Sequence, residues 1–465
     1  MITRLPPAIL AVAASFAQTL DRTKPPETPP LAPYKLPASA ESKLPNGLGV
    51  VLVEDRRFPL VTLRVAFHAG SRFDPPGRSG VAETVAGLLK AGTPSRTARR
   101  IAEELAAIGG SLSAAESPDS LIVSGSVLSE NTPKLLDLAA DIVRNADFPP
   151  GEIALRKQNR IQELAIERSQ ASTLAAEKLR AVVFGTHPYA RSLPTPEAIK
   201  AITREDLLKF RETLLTPANA TLILVGDIPP RQQTLDLIRA RFASWPGKPV
   251  PPAPGGEFPK PRRSITLIDR PGSAQADILI GHITVNRRHP DYFPLLVGTN
   301  ILGGGASSRM FDNIREKQGF AYDASAHNIP YKDAGLLNVN TQVRDQVIGP
   351  ALEAVFAELG RMGSEPVTAR ELTDRKNYIN GIFVMQLSSQ SGVANQLAGL
   401  RLNGLPNSYL ETYVTRVRSV EPDQIERVAS RYFSPSDAAI VIVGDASKIA
   451  AAVGKFGKVT IEKAK

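Results

Sequence analysis

Apolar residues along this chain are arranged in strand-like runs and helix-periodic stripes, and the order of these elements occurs twice. Residues 48–53 and 60–67 are mostly apolar and branched, which predicts two adjacent strands of a buried sheet. Between 80 and 91 the apolar residues recur at helical spacing, and a helix is expected there. The first unit therefore opens with a strand pair followed by a helix.

The rest of the first unit adds a hairpin, helices and a final strand. The hairpin is predicted for residues 111–127, where a Ser-Pro-Asp turn joins two strands. The stretch 151–184 contains no internal proline or glycine after Gly151, so it is expected to form one long helix or two joined end to end. A strand at 220–225 then leads into Gly-Asp, and a helix is predicted for 231–244.

A second unit follows the proline-rich stretch 245–263 and repeats this order. Strands are predicted at 265–268 and 278–283, and long helical segments cover 350–359 and 369–402. Each unit ends in Val-Gly-Asp, at 225–227 and 443–445, which lie 218 residues apart. Order-preserving similarity at long period predicts duplicated domains of α+β type.

These patterns divide the chain into five segments. They are a signal peptide (1–17), a proline-rich tether (18–43), an N-terminal half (44–244), a Pro/Gly-rich linker (245–263) and a C-terminal half (264–465). The signal peptide is predicted from Arg4, the short apolar run after it and the small residues Ser15 and Ala17. That apolar run is too short to span a bilayer, and no other segment of the sequence offers a span. The chain is therefore expected to be exported, to a bacterial periplasm or cell envelope.

Composition excludes several kinds of site. The 465 residues include 56 basic and 46 acidic ones, a formal net charge of +10, but the basic residues are spread out and favour a solvated surface over a nucleic-acid groove. The absence of cysteine excludes disulfides, thiolate metal sites and cysteine nucleophiles. The five histidines include no pair at the i, i+4 spacing that a helix-borne zinc site needs.

The stretch from Gly303 to Tyr322 carries the strongest local chemistry. Its glycines, Gly303, Gly304 and Gly305, allow close approach of a partner. A helix is expected next, capped by Ser307 or Ser308 and stopped by Gly319, with a strand starting at Phe320. Arg315 and Tyr322 would then converge and could donate hydrogen bonds to a substrate carbonyl. The alternative is a surface arginine beside a half-buried tyrosine.

At this point the chain resembles the insulinase-like (pitrilysin-type) metallopeptidases, especially two-domain relatives of mitochondrial processing peptidase. The resemblance covers residues 44–445 and is carried by several motifs together: Asn46-Gly-Leu-Gly-Val-Val-Leu-Val, Ala69-Gly-Ser-Arg-Phe-Asp, Gly80-Val-Ala, His187-Pro-Tyr, Ser307-Ser-Arg-Met-Phe, Ile314-Arg-Glu-Lys-Gln-Gly-Phe-Ala-Tyr and both Val-Gly-Asp endings. It implies duplicated halves, each a mainly antiparallel sheet with helices packed on it, that enclose a chamber.

The zinc motif that the resemblance implies, His-x-x-Glu-His, is degenerate here. Its three positions hold Glu83, Ala86 and Gly87, and Glu163 falls where the third ligand is expected, 76 residues after Gly87. Gly87 offers no ligand, and Ala86 cannot accept a proton from water. Helix-face solvation or ion pairing is the ordinary interpretation of the two acids, and a site built from Glu83 and Glu163 is the less favoured alternative, because catalytic zinc has three protein ligands.

The C-terminal half, by contrast, keeps what the resemblance implies for substrate binding. Arg315 and Tyr322 match a family pair, seven residues apart, that binds the substrate backbone and the tetrahedral intermediate. Gly303 to Gly305 resemble the loop that borders the substrate chamber, although close helix packing would explain them equally well. Arg309 is assigned a structural role.

The resulting hypothesis is a noncatalytic, substrate-binding subunit of an exported heterodimeric zinc metallopeptidase. No cofactor is expected in this chain. A homologous partner would hold the zinc that activates water, and Arg315 and Tyr322 would bind the scissile carbonyl of a peptide substrate. Two alternatives stay open at this point: a catalytically inactive envelope scaffold or peptide-binding protein, and an active peptidase with unusual metal ligands.

Overall fold

Two six-stranded sheets with packed helices make up the computed structural model, which describes residues 34–464. The predicted signal peptide (1–17) and most of the predicted tether lie outside the described residues. Between residues 34 and 464, no helix is long and apolar enough to cross a membrane.

The N-terminal half forms the first sheet and eight helices. Its strands are β1 (Ser39–Lys43), β2 (Gly49–Glu54), β3 (Leu60–Phe67), β4 (Gly92–Thr93), β5 (Arg96–Thr97), β6 (Ser111–Glu116), β7 (Leu121–Leu128) and β8 (Ala220–Gly226). Its helices are α1 (Val81–Leu88), α2 (Ala98–Ala107), α3 (Thr132–Asn145), α4 (Pro150–Arg168), α5 (Ala171–Phe184), α6 (Pro196–Ala201), α7 (Arg204–Leu214) and α8 (Arg231–Phe242). The predicted long helix of 151–184 is thus two helices, α4 and α5.

The C-terminal half forms the second sheet. Its strands are β9 (Ser264–Asp269), β10 (Gln275–Thr284), β11 (Ala321–Pro330), β12 (Gly335–Arg344), β13 (Ala439–Gly444) and β14 (Val459–Lys463). Its helices are α9 (Tyr292–Gly303), a π-helix (Phe311–Lys317), α10 (Ile348–Ser364), α11 (Ala369–Gln386), α12 (Gln390–Asn403), α13 (Ser408–Arg418), α14 (Pro422–Tyr432) and α15 (Ala446–Gly454).

The two sheets share one topology. The first has the order β1-β2-β8-β3-β7-β6, and the second, read from its other end, has β14-β9-β13-β10-β12-β11. In both, an early strand (β2 or β9) pairs in parallel with a late strand (β8 or β13), and the following neighbours are antiparallel. The outer strand beside the early one is antiparallel in the first sheet (β1) and parallel in the second (β14). The predicted α+β fold with duplicated, mainly antiparallel sheets is confirmed.

Each half packs one helix against the sheet of the other half. Helix α5 of the N-terminal half lies on β10 and β13, where Leu174 and Leu179 pack with Leu279 and Val441. Helix α12 of the C-terminal half lies on β3 and β8. Because burying apolar side chains in both directions is favourable, this exchange fixes the two halves to each other.

Buried arginines reinforce this contact between the halves. Arg64 on β3 donates to Asn395 at 2.8 Å and to Ser391 at 3.0 Å, both on α12. Arg72, only 3% exposed, pairs with Asp119 of the N-terminal half at 2.8 Å and with Asp333 of the C-terminal half at 2.7 Å. It also donates to the Pro254 carbonyl of the linker, so one side chain joins all three segments.

The boundary of the tether differs from the prediction. Residues 39–43, placed in the tether on the basis of their proline-rich surroundings, form β1, which pairs antiparallel with β2. The segment itself contains no proline, so each residue keeps the backbone N–H that a ladder needs. Its apolar content is low because β1 is an edge strand with alternating exposure.

Candidate functional site

The segment that carries Arg315 begins at the end of α9 and runs through the glycine loop. A side chain on Gly303 would place its Cβ 2.2 Å from the Ala326 backbone nitrogen, so close packing of α9 on β11 requires this glycine. Gly304 is similarly close to Asn300, whereas Gly305 has a φ of +123° and open space where its Cβ would be. Packing therefore explains the first two glycines, and backbone conformation explains the third.

Two arginines, Arg375 on α11 and Arg309 just after the loop, connect the loop to α11. Arg375 donates to the Ser307 hydroxyl at 2.6 Å and to the Gly304 carbonyl at 3.4 Å. Arg309 forms a two-point pair with Glu371, at 2.8 and 3.2 Å, which agrees with its predicted structural role. Burial alone would raise the pKa of Glu371, but hydrogen bonds from Arg309 and Thr368 lower it to about 2.

The helix after the loop is a π-helix, whereas the sequence predicted an α-helix. The backbone N–H of Gln318 bonds to the Asn313 carbonyl, five residues back, at 3.0 Å. Ser308 accepts from the Phe311 N–H at 3.4 Å, and the helix ends before Gly319, whose φ is +62°, so both predicted end signals are in place. The wider turn is a feature often found at functional sites and cannot be read from apolar spacing.

The structure brings Arg315 and Tyr322 together. The Arg315 guanidinium carbon lies 4.6 Å from the centroid of the Tyr322 ring and 4.7 Å from that of Phe311, so the cation is stacked between two rings. Tyr322 is 83% exposed, and the pairing of β11 with β12 shifts register between Ala321 and Ala324, which places Tyr322 in a bulge. Bulges redirect side chains, and here the phenol faces solvent.

A cavity of about 720 Å³ adjoins Tyr322. Asn338, Asn340 and Gln342, at alternate positions of β12, line one wall, and Ser172 and Ala176 of α5 line another. The cavity thus combines amide groups of the C-terminal half with a helix of the N-terminal half. Side-chain amides offer both donors and acceptors, as an extended peptide backbone does.

The degenerate metal positions, Glu83, Ala86, Gly87 and Glu163, also lie together, but arginines fill the space between them. Glu83 contacts Arg160 at 2.7 Å and Arg156 at 2.9 Å. Glu163 accepts from Arg156 at 3.3 Å. A Cβ on Gly87 would lie 3.3 Å from Arg156 Nε. The Arg156 guanidinium thus contacts the positions of all three expected metal ligands.

This arrangement does not fit zinc. Both carboxylates already neutralise guanidinium groups, Gly87 has no donor atom, and a cation placed beside Arg156 would be repelled. Within residues 34–464, no group of three His, Asp or Glu side chains has the geometry to hold a metal ion. The interpretation of Glu83 and Glu163 as ion-pairing acids is confirmed by these contacts.

Two acids beside Glu83, the buried Asp74 and the half-buried Glu116, were missed by the sequence analysis. Asp74 accepts from the N–H groups of Gly80 and Ala82, at 2.7 and 2.8 Å, and so caps α1; burial raises its pKa to about 6 despite these bonds. Burial also raises the pKa of Glu116 to about 7, and the Asp74 and Glu83 carboxylates add to the rise. Gly80, which predicts a turn before α1, was the sequence feature that could have indicated Asp74 as an acceptor for the free N–H groups of that helix.

Two family models match adjoining parts of the chain. The model described as Insulinase (Peptidase family M16) matches residues 49–197, and the one described as Peptidase M16 inactive domain matches residues 201–379. The chain belongs to the insulinase family of peptidases. The family resemblance predicted from the motifs is confirmed.

Relatives of this insulinase-family chain cover nearly all of it. An uncharacterized zinc protease of Rickettsia bellii is 28% identical over 414 residues, 86% of this chain and 96% of the relative. An uncharacterized zinc protease of Bacillus subtilis is 23% identical over 399 residues, again 86% of this chain and 96% of the relative.

Solved structures match this chain over a similar share of its length. A peptidase M16 inactive domain from Pseudomonas fluorescens has a TM-score of 0.82 and 26% identity, covering 87% of this chain and 98% of that one. A protease from Helicobacter pylori has the same fold, with a TM-score of 0.82, 23% identity and coverage of 88% and 100%.

Proposed function

We propose that this insulinase-family chain is the noncatalytic, substrate-binding subunit of a heterodimeric peptidase. In this proposal a homologous partner holds the zinc, and Arg315 and Tyr322 bind the scissile carbonyl of the peptide. The observation that carries the proposal is the contrast within one chain: a stacked, solvent-facing Arg315/Tyr322 pair, and metal positions that contact Arg156.

The Arg315/Tyr322 pair has the chemistry that carbonyl binding requires. A guanidinium and a phenol O–H are both hydrogen-bond donors. The rings of Phe311 and Tyr322 both contact the guanidinium and restrict its position, so little reorganisation is required when charge develops on the carbonyl oxygen. Arg315 also contacts its neighbour Glu316 at 3.5 Å, which leaves most of its donors available.

The adjoining cavity supports a peptide as the substrate. Its volume of about 720 Å³ is within the usual range of ligand sites, and Asn338 Oδ1 is buried without a hydrogen-bond partner in the described part of the chain. An extended peptide in the cavity could pair with the side-chain amides along β12. The relatives that are named zinc proteases support peptide chemistry for the complex as a whole.

Reconstitution with the partner tests this function. The full-length chain would be mixed with the insulinase-family chain of the same host that carries His-x-x-Glu-His, and cleavage of a peptide library would be followed. We expect cleavage only in the mixture, and its loss on changing Arg315→Ala or Tyr322→Phe with assembly intact. Unchanged cleavage with both variants would instead favour a scaffold.

Export of the chain is the second part of the proposal. It is supported by the sequence of residues 1–17 and is independent of the site. Fractionation of the native host and N-terminal sequencing of the purified protein test it. A mature N-terminus near Gln18 in the envelope fraction is expected, and an intact Met1 in the cytoplasmic fraction would contradict it.

A further inference from the structure

A second cavity lies on the C-terminal half where the start of α9 meets the end of α13. It has a volume of about 430 Å³, and three arginines line it: Arg287, Arg288 and Arg416. No aspartate or glutamate is among its lining residues, and none of the three arginines forms an ion pair with any residue from 34 to 464. The cavity therefore concentrates positive charge without an internal counter-charge.

Aromatic rings hold two of these guanidinium groups in place. Arg287 lies 5.1 Å from the Tyr409 ring centroid and 5.9 Å from that of Tyr292. Arg416 lies 5.4 Å from the Tyr409 centroid and 5.7 Å from that of Phe293. Ring contacts orient a guanidinium while its N–H groups stay free to donate. These ring contacts thus restrict the positions of Arg287 and Arg416.

Tyr409 fixes Arg287 at the cavity. Tyr409 is 2% exposed and lines the cavity, and its ring contacts the Arg287 guanidinium. Because a buried ring is held by close packing, the Arg287 guanidinium keeps its place at the cavity wall.

The carboxylate at the start of α9 is already neutralised. Asp291, at the start of α9, pairs with Arg427 at 2.6 Å and lies 3.7 Å from His289 Nδ1. Its charge is therefore directed to Arg427 rather than to the three arginines of the cavity. The first turn of α9, through Phe293, adds its positive end to the same space.

We propose that this cavity binds the phosphate group of a small phosphoester. A phosphate presents three or more acceptor oxygens in different directions to two or three guanidinium groups at once, whereas a carboxylate has only two acceptor oxygens in one plane. The phosphoester could be soluble or could be the head group of an anionic phospholipid. This site is separate from the Arg315/Tyr322 pair and does not depend on the proposed function.

Calorimetric titration of the full-length chain tests the proposal. Inorganic phosphate, glycerol 3-phosphate and, as a control anion, acetate would be titrated in low-salt buffer. Flotation with vesicles of phosphatidylglycerol, or of phosphatidylcholine alone, would distinguish a lipid head group from a soluble ester. The variants are Arg416→Gln, Arg288→Gln and Tyr409→Phe. Arg370→Gln is the matched control, since Arg370 is 93% exposed and lies on α11, outside the cavity.

We expect saturable phosphate binding with one site per chain and much weaker acetate binding. Arg416→Gln and Arg288→Gln should weaken phosphate binding about tenfold or more, because each removes a charge-assisted hydrogen bond. Tyr409→Phe, which keeps the ring contact to Arg287, and Arg370→Gln should both leave it within twofold. Since Arg288 is exposed, its variant keeps the test valid if another variant fails to fold.

If the chain binds phosphatidylglycerol vesicles and inorganic phosphate competes with that binding, the natural ligand is a lipid head group. If the chain binds glycerol 3-phosphate more tightly than vesicles, the natural ligand is a soluble phosphoester. The proposal is overturned if neither arm shows saturable binding. It is also overturned if Arg370→Gln weakens binding as much as Arg416→Gln does, since general surface charge would then explain the result.

Discussion

The two halves of this chain share a strand order, but the metal positions of one half and the Arg315/Tyr322 pair of the other half differ in whether their charged and polar groups are paired. In the N-terminal half, Glu83 and Glu163 are paired with Arg156, so charge is neutralised within the protein. In the C-terminal half, Arg315 is stacked between rings and Tyr322 is exposed, so donors remain available to a ligand. The comparison teaches that one copy of a duplicated fold can keep hydrogen-bond donors available while charges in the other copy are paired internally.

The largest effect is expected from changing Arg315→Ala in the reconstituted complex. Removing one donor to a developing oxyanion lowers kcat/KM by about 10²–10³-fold. Peptide cleavage at several substrate concentrations measures this, and Arg370→Ala on the exposed face of α11 is the control. A change of less than twofold for Arg315→Ala, with the complex assembled, would remove this half from the reaction.

Restoring the metal ligands tests the other half. We expect the triple variant E83H/A86E/G87H to bind little zinc, because the Arg156 guanidinium still lies at the ligand positions. Adding Arg156→Ala should allow about one zinc per chain, since Glu163 is then released. Metal analysis after dialysis measures both variants. Full zinc binding by the triple variant alone would show that Arg156 does not block the site.

A stability change of intermediate size is expected for Glu83→Ala. Arg160, whose side chain is 9% exposed, would lose its closest carboxylate, and Arg156 would lose one of two. The free energy of unfolding should fall by about 2 kcal/mol. Glu103→Ala is the matched control on α2, because its pair with Arg99 is exposed and should contribute about 0.5 kcal/mol or less. Urea denaturation of both variants measures the difference.

The smallest expected effects are changes in the free energy of unfolding with pH, and they have opposite signs for Glu116 in the N-terminal half and Glu371 in the C-terminal half. Glu116 has a folded pKa of about 7, above its ordinary 4.5, so its contribution to stability decreases as pH rises from 4.5 to 7. Glu371 has a folded pKa of about 2, so its contribution is present above pH 4.5 and is lost as pH falls toward 2.

Accordingly, Glu116→Gln should raise the free energy of unfolding by about 1 kcal/mol at pH 8 and by less at pH 4. Glu371→Gln should lower it at pH 7 and have little effect near pH 2. Unfolding curves at these pH values check both variants. The same pH dependence for the two variants would contradict the assigned environments.

Much of the fold and of the Arg315/Tyr322 site could be predicted from the sequence, because the signals for them are local or periodic. The duplicated strand order followed from repeated apolar runs, and the approach of Arg315 to Tyr322 followed from Gly319, which ends one element and starts another. The hairpin of β6 and β7 appears within one residue of its predicted ends. Such features depend on neighbours in the chain.

The features that were missed depend on distant residues. The exchange of α5 and α12 between the sheets cannot be read from either helix alone, because each apolar face could pack on its own half. The π-helix at Phe311–Lys317 has the apolar spacing of an α-helix. Arg156 could have been found, since it lies two helical turns before Glu163 on one face of α4, where guanidinium and carboxylate can meet.

The most direct test of the central claim is to measure zinc content and peptide cleavage for the purified full-length chain alone. A chain whose metal positions contact Arg156 should retain less than about 0.1 zinc per molecule after dialysis and should cleave no peptide. Addition of the zinc-motif partner should then produce cleavage that a chelator abolishes. Stoichiometric zinc together with chelator-sensitive cleavage by the lone chain would contradict the account.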